Sequence, residues 1–63
     1  VDNSVYVVVD RKTGLYLISP RDRIWTEDKK KAWLCTIVAA EMVVALIALN
    51  DGKTVDFEER NDV

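Results

Sequence analysis

One stretch, Ala32 to Leu49, limits what this chain can fold into more than any other. Its eighteen residues carry a single charge, Glu41, and a lysine triplet, Lys29-Lys30-Lys31, stands just ahead of it. In a chain of 63 residues such a block is most of the core, an oligomer interface or a membrane span. Stepping about 100° per residue from Ile37, the large side chains Val38, Leu49, Met42, Leu46, Val43, Ile47 and Val44 sweep most of the helical circle. Glu41, Ala45 and Ala48 fill the remaining sector. A helix on the surface of a globular protein shows an apolar stripe little wider than about 100° and a broad polar face. This helix lacks the polar face, so it is expected to be buried on more than one side.

A single-pass span over 32–49 would account for the apolarity and the flanking lysines. Spanning takes about twenty apolar residues, which this block barely approaches. Glu41 would sit near the bilayer centre at a cost of about 3 kcal/mol. The flanks also suit a helix that ends in water. Thr36 offers a capping hydroxyl at the start, and Asn50-Asp51-Gly52 offers a left-handed stop. The membrane is therefore an unlikely partner.

The strands need this helix as well. Val5-Tyr6-Val7-Val8-Val9 is β-branched and aromatic without a breaker, a strong strand signal. Asp10-Arg11-Lys12-Thr13-Gly14 reads as a hairpin loop closed by a left-handed glycine, and Leu15 to Ile18 as the returning strand. Val5, Val7 and Val9 point to one face while Tyr6 and Val8 point to the other, so the hairpin calls for cover on both faces. Pro20 ends the hairpin, and Ile24-Trp25 reads as a short extended piece that anchors in the core. Thr26 with Glu27 and Asp28 opens a turn or two of helix over Glu27 to Ala32. Ile37 to Leu49 is the main helix. Lys53 to Glu58 is a half-exposed strand with Val55 and Phe57 inward and charges protecting an edge. The expected fold class is α+β: a β-β-α-β domain with a three-stranded antiparallel sheet on one long apolar helix.

A domain of this size buries only about 60% of its unfolded surface and needs a staple. Cys35 is the only cysteine and there is no histidine, so neither an intrachain disulfide nor a recognisable zinc set is available. A lone cysteine in an apolar run reads as a small buried hydrophobe and suits a reducing, cytoplasmic setting. With 49% apolar residues, self-association is the staple that remains. The expected homodimer interface is Val38, Met42, Val43, Ala45, Leu46, Ala48 and Leu49. Glu41 in this region needs a partner or an exit to water. The start, Val1-Asp2-Asn3-Ser4, lacks the basic and apolar regions of a signal peptide. A native chain begins with Met, so residues are expected ahead of Val1.

Charge is unevenly placed although the net charge is only −2. From Arg11 to Lys31 seven basic residues face three acids, leaving +4; from Asp51 to Asp62 five acids face Lys53 and Arg60, leaving −3. Such polarity steers charged partners. The candidate partner-binding residues are Arg11, Lys12, Arg21 and Arg23 on the loops and Asp56, Glu58 and Glu59 on the acidic edge. The basic 11–31 segment, interleaved with Tyr16, Trp25 and Trp33, also permits nucleic-acid binding through stacking aromatics. Trp25 and Trp33 serve equally as core anchors. Catalysis is not expected: the commonest general base is missing, Ser4 and Ser19 lack a signature of activation, and Gly14 and Gly52 each serve a turn. No cofactor is implied.

Gly14-Leu15-Tyr16, then Trp25-Thr26-Glu27-Asp28 with Lys31-Ala32, resembles a class of small bacteriophage or prophage proteins. In these a hairpin with a G-x-Y step precedes W-T-x-D-x-x-K-A, a capped helix and a final strand. The likeness covers about two-thirds of the chain and departs from the class at the nearly all-apolar Ile37 to Leu49. It implies an accessory protein that acts by binding, inhibiting or redirecting a host protein, and it assigns no functional residue.

Overall fold

A computed structural model describes residues 4–60; the expectations placed on Val1 to Asn3 and on Asp62 lie outside them. In chain order the elements are β1 (Val5–Asp10), β2 (Tyr16–Ser19), β3 (Ile24–Thr26), a 3-10 turn (Lys29–Lys31), α1 (Ile37–Asp51) and β4 (Val55–Arg60). The class is α+β as expected, with one antiparallel sheet and one long helix. The sheet has four strands, in the order β3-β2-β1-β4, where three were expected. The extra strand is the short piece around Trp25. Thr26 and Trp25 pair with Tyr16 and Leu17, and an irregularity between Leu17 and Ser19 carries the register to Ile24. Arg23 makes the reversal at φ 56°, a left-handed conformation in which a non-glycine residue is uncommon. Its guanidinium bonds the Pro20 carbonyl and holds the turn closed.

β1 is central because β4 returns beside it in full register, from Val5 opposite Arg60 to Asp10 opposite Val55. Residues opposite one another share a face, so Tyr6, Val8 and Asp10 lie with Val55, Phe57 and Glu59, and Val5, Val7 and Val9 with Asp56, Glu58 and Arg60. α1 covers the first face. Val8, Leu17 and Ile47 are fully buried together, and Trp25, Val43, Val44 and Val55 pack against them. Tyr6 and Phe57 meet edge to face with ring centroids 5.9 Å apart. Trp25 thus anchors in the core, as its apolar body allows.

Val7 and Val9 are also buried, on the opposite face. Their cover comes from within the chain. The segment after β3 carries the 3-10 turn across that face, where Arg60 Nη1 donates to the Lys29 carbonyl at 3.1 Å. Asp28 caps the turn by accepting from the Lys30 amide at 2.9 Å. The expected helix over Glu27 to Ala32 is therefore one tight turn capped by Asp28. Thr26, the expected cap, is held in β3 and accepts from the Asp28 amide at 3.1 Å. Beyond the turn the chain wedges between β1 and β2 where the hairpin opens. The Trp33 amide donates to the Leu17 carbonyl at 2.8 Å, and Tyr6 and Cys35 exchange two backbone bonds of 2.8 and 3.0 Å. Backbone groups that a longer β2 would satisfy are met by the wedge.

α1 begins at Ile37 as its sequence predicts and runs two residues past the expected Leu49, to Asp51. Thr36 Oγ1 accepts from the Ala39 amide at 3.3 Å, and Gly52 takes the left-handed conformation at φ 65°. The fifteen residues of α1 rise about 22 Å at 1.5 Å each, short of the roughly 30 Å hydrocarbon thickness. Among the described residues no helix is long and apolar enough to cross a membrane.

Candidate interaction surface

One side of α1 is closed. Ala40 and Ile47 are buried and Val43 and Val44 are half-buried, all facing the sheet. The other side is open to water. Val38 is 62% exposed, Met42 68%, Leu46 48% and Leu49 85%. Ala45, Ala48 and Glu41 are exposed beside them. Val43, also expected in the interface, is half-buried and packs against the core. The other six expected residues form one continuous outward face.

This face has a centre and two flanks. On a helix turning about 100° per residue, Val38, Met42, Ala45 and Leu49 fall on one line, at spacings of four, three and four residues. Leu46 lies along one side of that line, with Glu41 and Ala48 along the other. The exposures amount to roughly 500 Å² of apolar surface, the upper part of the range a monomer leaves open. That is about an eighth of the total 4248 Å². Glu41 reaches water directly, so it carries no burial penalty.

The charged candidates behave differently, because most are already paired. Arg11 sits 3.6 Å from Asp56 and 3.5 Å from Glu58. Lys29 Nζ lies 3.2 Å from Glu58 and stacks over the Tyr16 ring at 5.9 Å. Arg23 Nε bonds Asp51 at 2.9 Å. The Arg23–Asp51 pair lies at the end of α1, whereas Arg11 and Lys29 meet Asp56 and Glu58 on the second face of the sheet. Their aliphatic stems lie on the face that buries Val7 and Val9. Lys12, Arg21 and Glu59 are exposed. Of the aromatics that stacking on bases would need, Trp25 is packed on the core beneath Lys53, 5.6 Å from its ring, and Tyr16 lies under Lys29.

One placement was not legible in the sequence. Asp10 is nearly buried, accepts from the Lys12 amide at 2.9 Å and lies 3.8 Å from Lys53 Nζ; only the position of the hairpin loop hinted at it. Cys35 contacts the Tyr6 carbonyl through Sγ at 3.4 Å, and burial pushes its thiol up from the ordinary range. That keeps it protonated and a poor nucleophile. Among the described residues no buried polar side-chain atom lacks a partner, and no cluster of three His, Cys, Asp or Glu is placed to hold a metal. Comparison with known proteins finds no matching family model, no matching curated protein and no matching solved structure.

Proposed function

We propose that this chain is a non-enzymatic protein-interaction module whose working surface is the outward side of α1, and that it associates first with a second copy of itself. One observation carries the reading. A helix anchored to its own sheet leaves four large apolar side chains and two alanines open in one strip. Contiguous apolar surface on so small a molecule marks an interaction site more often than chance exposure. The absence of histidine and the protonated, partly buried Cys35 favour binding over catalysis. The host-directed role that the phage-type resemblance implies belongs to the same proposal. For it, Lys12, Arg21 and Glu59 are the charged candidates without an ion pair among the described residues.

Amide spectra recorded on serial dilution from millimolar to low micromolar concentration test the reading. Shifts confined to residues 37–49 and their immediate neighbours are expected. Shifts concentrated instead on β3 or β4 would move the working surface to a sheet edge, and unchanged spectra would remove self-association.

A further inference from the structure

We infer that two copies pair through α1 antiparallel about a two-fold axis, the level of Met42 on one helix matching that of Ala45 on the other. This rests on the self-association proposed above and adds its geometry. The line Val38, Met42, Ala45, Leu49 has spacings of four, three and four, so it reads the same from either end. Spacing of this kind keeps a seam facing a partner helix over two turns or more. About such an axis each position meets its mirror position on the second copy, so the same patch serves both chains, as in any isologous contact.

Side-chain sizes choose the direction. Antiparallel pairing sets Val38 against Leu49 and Met42 against Ala45, so a long side chain enters the space a methyl leaves in each central layer. Parallel pairing sets Met42 against Met42 and Ala45 against Ala45, which crowds one layer and opens a void in the next. Glu41 points the same way. In the antiparallel arrangement it flanks the seam beside Ala48 of the second copy, where a methyl leaves its carboxylate a path to water.

Area sets the strength and argues for a copy as occupant. Roughly 500 Å² per chain falls below the ~800 Å² per side of a standard interface, so a weak, concentration-dependent dimer follows. The face offers a partner almost no charge to read, Glu41 excepted, and shape matched to itself is its main specificity. The charged β4 edge disfavours a competing mode. Asp56 Oδ1 accepts from the Phe57 amide at 2.8 Å, and two β4 strands side by side would bring Asp56, Glu58 and Glu59 against their own kind.

Cross-linking decides it. Cys35→Ser/Val38→Cys and Cys35→Ser/Leu49→Cys chains, both altered at exposed helix positions, are mixed in equal amounts at high micromolar concentration in a glutathione redox buffer. The disulfide-linked products are then weighed, the two chains being distinct in mass. The mixed 38–49 product is expected to exceed either self-linked product at least tenfold. Predominant 38–38 and 49–49 products would overturn the antiparallel geometry in favour of a parallel one. A dimer by sedimentation that yields none of the three would overturn the helix seam while leaving self-association standing. A chain that stays monomeric throughout would overturn both.

Discussion

The two sides of α1 are nearly equal in apolarity and opposite in fate. The inward side, Ala40, Val43, Val44 and Ile47, is closed by Val8, Leu17, Trp25 and Val55. The outward side, Val38, Met42, Ala45, Leu46 and Leu49, is left exposed to water. Hydrophobicity alone thus does not decide which side of a helix forms the core. The sheet decides it, by offering one face of limited area. What the sheet leaves uncovered is the surplus, and surplus apolar area is what a small chain has to spend on association.

That contrast is broken most strongly from the inside. Ile47→Ala removes a fully buried side chain from the centre of the cluster, and a loss of about 3 kcal/mol is expected from urea denaturation. A change near zero would mean that Ile47 is not where the helix meets the sheet. Thr36→Ala is expected to cost about 1 kcal/mol, because the Ala39 amide loses its cap. Glu58→Gln, which breaks exposed contacts with Arg11 and Lys29, should cost less than about 1 kcal/mol and matter less at high salt.

A smaller effect depends on pH. Burial raises the Cys35 thiol, so the folded chain holds that proton more tightly than the unfolded one. Its contribution is complete below the ordinary thiol range near about 8.5 and is lost as pH rises toward the folded value. The difference in urea midpoint between the parent chain and Cys35→Ala should therefore shift between pH 7 and pH 10, the parent losing more on the alkaline side. A pH-independent difference would contradict this. On the outward side, Met42→Lys with Leu49→Lys should leave the stability of the monomer within about 0.5 kcal/mol, as surface changes do.

How much of this was legible beforehand depends on range. Thr36, Gly14 and Gly52 announced their turns because capping and left-handed backbone are local properties. The β1 valines predict a strand buried on both faces, but nothing local says what supplies the second cover. The cover is the 3-10 turn, tied down by Arg60 and Lys29, whose partners lie some thirty residues away in sequence. No local pattern reports such a meeting. Three residues, Ile24–Thr26, carry too little periodicity to separate the fourth strand from a loop. The outward helix face was legible as an excess, whereas the side to which Val43 points was not. At about 240° from Ile37 it lies between the two sides, and only the position of the sheet settles it.

Sedimentation equilibrium of the parent chain beside the Met42→Lys/Leu49→Lys chain, from about 1 µM to 1 mM, tests the central claim most directly, the span being set by the weak association expected of a small interface. The parent is expected to move from its 7.2 kDa monomer toward twice that mass with rising concentration, while the double variant stays at the monomer and keeps its fold. A parent that remains at 7.2 kDa throughout, or a double variant that dimerises as well as the parent, would contradict the assignment of the open side of α1 as the contact surface.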